Sequence, residues 1–159
     1  MEARMTHPVF VVPAALSSLR AYSQAADGLG VPAETLEMLH LRASQINGCS
    51  VCVELHSTTL KKEGMSDERL FGVAAWRDAP YFSGAERAAL ALTEAVTRVA
   101  DRGDPVPDEV WAEAARHYDE PGLSALLIAI TSINVWNRLN AATRQVSGAW
   151  SPRALDSLR

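Results

Sequence analysis

Apolar residues recur at intervals of three and four along most of the chain, and period-two alternation is almost absent. With Ala, Leu, Glu and Arg dominant, that pattern predicts an all-α fold. A first helix starts near Pro13, carries Leu16, Leu19 and Tyr22, and ends by Gly28 and Gly30. Pro32 suits the opening of a second helix with Leu36, Leu39, Ala43 and Ile46 on one stripe, because its fixed φ is already helical. Asn47-Gly48 breaks that helix, and a third runs from about Cys49 to Gly64. Ser66 caps a short helix through Leu70, Val73 and Trp76. Ser83-Gly-Ala-Glu86 has capping-box spacing and opens a helix to about Val99. A polar loop from Asp101 to Pro107 leads to a helix over Asp108 to His117, and Pro121-Gly122 introduces a last one from about Leu123 to Val146. The expected count is six to seven helices. The last is apolar most of the way round at Leu126, Leu127, Ile128, Ile130 and Ile133. It must be buried on several sides, at the centre of the fold or in a subunit interface.

Outside these elements, Val9–Val12 lies between Pro8 and Pro13 and reads as an N-terminal arm, with no small-residue cleavage site after it to suggest a signal peptide. The tail from Ser147 reads as loosely held, with Trp150 a candidate to dock. Ser44-Gln-Ile-Asn47 is echoed by Thr131-Ser-Ile-Asn134, a likeness too short to make a repeat. The 159 residues suit one domain spanning 1–159. A formal net charge of −4 argues against nucleic acid as the main partner, since phosphate binding needs a basic face. No apolar run reaches the roughly 18–20 residues that a membrane span needs, so a cytoplasmic protein is expected.

Only two cysteines are present, and they are three residues apart. A bridge closing so short a loop removes little chain entropy, so stability is a poor reason for the pair. On a helix, Cys49, Cys52 and His56 share one face. The two thiols are then near enough to form and break a disulfide with little backbone movement. At the start of the helix, unpaired N–H groups and the positive end of the macrodipole favour a thiolate. An ordinary thiol is only about 3% ionised at pH 7, and a drop of about two units makes it mostly thiolate. His56 can accept or relay a proton near neutral pH. Glu37, on the apolar second helix, can face the cysteines across the turn, and a partly buried carboxylate there is expected to have a raised pKa or a partner, His56 or a cysteine thiol, and to act as general base or relay. CxxC alone fits a zinc half-site, a redox pair or a chance occurrence equally well. The whole pattern of Glu37, then Cys49 and Cys52, then His56, on a helix–turn–helix with no other cysteine, favours redox chemistry.

The run from Leu36-Glu37 through Arg42-Ala-Ser44-Gln-Ile-Asn47-Gly48-Cys49-Ser-Val51-Cys52 to His56 resembles the core motif of AhpD-like alkylhydroperoxidases, in the carboxymuconolactone decarboxylase superfamily. The likeness continues through Phe82-Ser-Gly-Ala-Glu86-Arg87 to Glu94, and through Ile133-Asn134-Val-Trp136-Asn137-Arg138, covering about residues 15–146. It implies an all-helical AhpD-like domain with the CxxC at the N-terminus of a central helix, assembled as a trimer or hexamer. It also implies a thiol-dependent peroxidase without a cofactor. Cys52 would attack a hydroperoxide, Cys49 would resolve the sulfenic acid to a disulfide, and Glu37 and His56 would relay protons. A dithiol donor, lipoyl-bearing or thioredoxin-like, would return the electrons. Helix-end electrostatics taken alone would instead make Cys49 the more acidic thiol. The peroxidase members also carry a histidine directly before the second cysteine, where this chain has Val51. Two other functions compete: a zinc-holding scaffold using Cys49, Cys52, His56 and Glu37, and a decarboxylase of the same superfamily, whose members lack the paired cysteines. Arg42, Arg87, Trp136, Asn137 and Arg138 read as interhelical or intersubunit contacts.

Overall fold

A computed structural model describes residues 2–101 and 103–149, and Trp150 lies outside the described residues. All regular structure among them is helical. The eight α-helices are α1 (Pro8–Val11), α2 (Pro13–Gln24), α3 (Ala33–Asn47), α4 (Ser50–Lys62), α5 (Asp67–Gly72), α6 (Gly84–Thr97), α7 (Asp108–His117) and α8 (Glu120–Thr143). Short 3₁₀ turns follow α5 and α6. The expectation of six to seven helices falls one short because Val9–Val12 is not merely an arm. His7 caps α1 by accepting the Val9 N–H on Nδ1, and Pro8 sits at the first helical position.

Helix α3 packs against α4, α6 and α8. Its buried Leu36, Met38, Leu39 and Leu41 join Leu90 and Leu92 of α6 and Leu126 and Ile130 of α8 in the main core. Much of the apolar girth of α8 is thus absorbed within the chain, the first of its two expected settings. A second cluster joins Val9, Ala43, Cys49, Val51, Cys52, Ile133 and Trp136. Val9, wholly buried, therefore packs the N-terminal helix onto the cysteines. His7 stacks on Trp136 with ring centroids 5.7 Å apart, and burial lowers its pKa to about 4, so it is neutral at pH 7.

Two polar networks hold α3, the helix that leads into the cysteines. Asn47, the last residue of α3, donates from Nδ2 to Asn134 Oδ1 (3.0 Å) and to Asn137 Oδ1 (2.8 Å). Asn137 Nδ2 in turn donates to Ser44 Oγ at 3.1 Å. The two echoing tetrads of the sequence thus touch at their asparagines, Asn47 and Asn134, and with Asn137 they tie the turn before Cys49 to α8. On the other side of α3, Glu94 is buried among cations. It accepts from Arg42 (2.6 and 2.8 Å), Arg77 (2.8 Å), Arg98 (3.1 Å) and the Trp76 indole N–H (2.9 Å).

Burial alone would raise the Glu94 pKa, but the hydrogen bonds from Trp76, Arg77 and Arg42 outweigh it and bring it down to about 2. A carboxyl group depressed in the folded state stabilises above its unfolded pKa, and that contribution is lost as pH falls from about 4.5 towards 2. Glu94→Gln also leaves Arg42 buried without its counter-charge. Equilibrium denaturation at pH 7 is expected to show a loss of about 3 kcal/mol, with the gap to wild type closing below pH 4. A variant as stable as wild type at pH 7 would contradict this.

Candidate redox site

Gly48 ends α3 in the left-handed conformation (φ 67°), which costs glycine nothing and lets the chain turn at once into α4. The Cys49 N–H closes that turn by donating to the Ser44 carbonyl at 3.0 Å. Cys49 is then the N-cap of α4, and its Sγ accepts the Cys52 N–H at 3.3 Å. The two residues have Cα atoms 5.4 Å apart and are joined as a disulfide. That separation lies within the ordinary range for a bridge, so oxidation and reduction need no rearrangement of the helix.

Side chains of α3, α4 and α8 meet beside this pair. A pocket of about 290 Å³ is lined by Cys52, Glu37, His40, His56 and Asn140, with apolar walls from Leu55, Ile133 and Trp136. Cys49 and Cys52 are each only 4% exposed; Cys52 lines the pocket, and Cys49 is not among its lining residues. Glu37 lies on α3 and bridges two histidines. Its Oε1 accepts from His56 Nδ1 at 2.8 Å and its Oε2 from His40 Nδ1 at 3.3 Å, with the imidazole rings 5.0 Å apart. From α8, Asn140 Nδ2 donates to Cys52 Sγ at 3.2 Å.

Electrostatics here correct one expectation. Glu37 does not have a raised pKa. Burial does push it up, but the hydrogen bonds from His40 and His56 push harder the other way and hold it well below the usual carboxylate range. Glu37 is therefore an anion at neutral pH. An anion accepts, so both Nδ1 atoms carry the proton, and a neutral His56 presents Nε2 as its basic nitrogen.

The structure brings Glu37, His56 and Cys52 to one pocket, with Cys49 bonded to the Cys52 sulfur. Sequence reasoning missed His40 and Asn140. The first was legible in principle, since His40 follows Glu37 by three residues and shares its face. Nothing local marks Asn140, which comes from 88 residues beyond Cys52. Trp136, read as a contact, both packs on His7 and lines the pocket. Arg42 and Asn137 are interhelical contacts, as read.

Glu37, His40 and His56 offer ligand atoms within 4.8 Å of one another, a spacing that a divalent cation can bridge. Those atoms already satisfy each other as hydrogen bonds. Ligation through Nδ1 would also place the His40 proton on Nε2, which is buried without a hydrogen-bond partner. Metal-bound histidines normally donate that N–H to an acceptor. The set suits proton transfer better than metal binding, and the two sulfurs proposed for zinc are here bonded to each other.

Comparison with known proteins gives the family and the fold. Residues 13–95 match the carboxymuconolactone decarboxylase family. The uncharacterized protein YdfG of Bacillus subtilis (strain 168) is 36% identical over 108 residues, 68% of this chain and 72% of YdfG. The uncharacterized protein YnjA of Escherichia coli (strain K12) is 31% identical over 105 residues, 66% of this chain and 56% of YnjA, so the match spans little more than half of that relative. A crystal structure of an Agrobacterium tumefaciens protein of unknown function, put forward as the antioxidant defence protein AhpD, is 28% identical with a TM-score of 0.84, covering 94% of this chain and all of that one. This chain belongs to the carboxymuconolactone decarboxylase family and has the AhpD-like helical fold.

Proposed function

We propose that the protein is a thiol-dependent peroxidase that reduces hydroperoxides through the Cys49–Cys52 pair. One observation carries the reading: a CxxC disulfide at a helix start whose second sulfur lines a pocket shared with a carboxylate–histidine pair. In the reduced protein, the Cys52 thiolate attacks the outer oxygen of a hydroperoxide. An S–O bond forms, the O–O bond breaks, and the alcohol (water, from hydrogen peroxide) leaves with a proton relayed through His56. Cys52 is then a sulfenic acid. The Cys49 thiol displaces its oxygen, forming the disulfide and releasing water. A dithiol donor, lipoyl-bearing or thioredoxin-like, reduces the disulfide and is itself oxidised, so each cycle transfers two electrons. The role of Glu37 is to hold the His56 proton on Nδ1 and to stabilise the imidazolium that forms during transfer.

The reading includes a cytoplasmic setting, where thiols are kept reduced. Among the described residues, no helix is long and apolar enough to cross a membrane. It also includes self-assembly as a trimer or hexamer, which would cover the exposed Val11, Val12 and Phe71. Sedimentation at micromolar concentration is expected to show the oligomer, and a clean monomer would remove that part of the proposal. The catalytic part is tested by steady-state consumption of an organic hydroperoxide with dihydrolipoamide as the donor. Turnover is expected to depend on both reagents and to vanish after alkylation of the reduced protein. Consumption that survives alkylation would overturn it.

A further inference from the structure

Of the two thiols, the start of helix α4 helps the wrong one. Its N-terminal N–H donor, that of Cys52, is directed at Cys49 Sγ, so by helix-end electrostatics Cys49 should ionise first. Val51, directly before Cys52, is an apolar side chain in the cluster around the cysteines and has no hydrogen-bond donor to give. The side-chain donor that reaches Cys52 Sγ comes instead from across the pocket, from Asn140 on α8 at 3.2 Å.

Asn140 is an odd residue for its place if packing were its purpose. It is 4% exposed, and its side-chain oxygen Oδ1 is buried with no hydrogen-bond partner. A buried carbonyl without a partner opposes folding, and an apolar residue of similar size would remove that cost. What the amide offers in return is a fixed N–H aimed at sulfur. A donor of that kind binds a thiolate much more strongly than a neutral thiol, and so lowers the thiol pKa.

We propose that Asn140 is the residue that makes Cys52, and not Cys49, the attacking thiolate. It supplies from the last helix the donor that Val51 cannot supply from α4, and it tolerates an unsatisfied oxygen to do so. The inference deepens the peroxidase reading and rests on it for the identity of the reaction, but its direct consequence is an ionisation that needs no peroxide.

The test uses single-cysteine proteins, in which the pH dependence of iodoacetamide alkylation reports one thiol at a time. In the Cys49→Ser background, Asn140→Leu is expected to raise the Cys52 pKa by about one unit and to slow alkylation at pH 7 several-fold to tenfold. Asn140→Asp, isosteric but anionic, should raise it further. In the Cys52→Ser background the same changes should shift Cys49 by much less. The melting temperature of Asn140→Leu should equal or exceed that of its parent, because the orphaned oxygen is gone; a purely structural asparagine would show the reverse. An unchanged Cys52 pKa in both variants would overturn the proposal, as would equal shifts at Cys49 and Cys52. If Asn140→Leu does not fold, Asn140→Asp alone decides. Wild-type protein that shows the expected Cys52 ionisation yet consumes no hydroperoxide would sink the peroxidase reading and leave the role of Asn140 standing.

Discussion

Cys52→Ser is expected to abolish hydroperoxide consumption, whereas Cys49→Ser should complete a single turnover and stop with a sulfenic acid on Cys52. The two cysteines are equally buried, but they are not equivalent. Cys52 lines the pocket with His56 and receives the Asn140 N–H, and Cys49 holds the cap of α4. With serine at 49, no thiol remains to displace the sulfenic oxygen, so the oxidised intermediate accumulates and can be trapped by a dimedone-type reagent. With serine at 52, the sulfur in the pocket is lost, and the expected fall in rate is complete within detection. Should the variants behave the other way round, with Cys52→Ser retaining the single turnover, the helix start and not Asn140 sets reactivity.

Glu37→Gln should lower the rate of thiol oxidation by peroxide at least tenfold across pH 6–8, with folding intact. General acid–base assistance of this kind is worth about 10²–10⁴-fold. The carboxylate accepts from both histidines through its two oxygens. A glutamine has one accepting oxygen, and its NH₂ would meet the other Nδ1–H donor to donor. Either His56 loses its tautomer or His40 does. Because Glu37 is held well below the usual carboxylate range, its own titration lies outside pH 6–8. No part of the loss should therefore follow a titration of Glu37 itself within that range. A depressed carboxyl contributes stability above its unfolded pKa, near 4.5, and loses it as pH falls through the folded value. Glu37→Gln should thus be less stable than wild type at pH 7, by a margin that closes in acid. A variant that matches the wild-type rate throughout pH 6–8 would make Glu37 a structural residue only.

Much of this was legible in the chain. The break at Asn47-Gly48 could be read because glycine alone takes a left-handed turn freely, and Gly48 does so. Ser83 and Glu86 form the reciprocal capping pair their spacing announces. The face shared by Cys49, Cys52 and His56 follows from helical geometry. Local signals ran out where tertiary contacts decide. Helix α1 is a single turn held by a histidine cap and by Val9 packing on the cysteines, neither of which is a propensity signal. Helix α8 starts at Glu120, capped by Asp119, before the Pro-Gly pair that was taken to introduce it. It ends at Thr143, where Arg144 turns left-handed. The pKa of Glu37 is lowered and not raised because His56, and also His40, which sequence reasoning left out of the site, outweigh burial. Asn140 needed the packing of α8 against α4 to appear at all.

The most direct measurement is a stoichiometric thiol titration of the reduced protein before and after one equivalent of hydroperoxide, with zinc analysed in the same sample. Two thiols should disappear for each hydroperoxide consumed, the intact mass should fall by two hydrogens, a dithiol should restore both thiols, and no stoichiometric zinc should be present. Thiols that survive the hydroperoxide unchanged, or that are held by one bound zinc per chain, would contradict it.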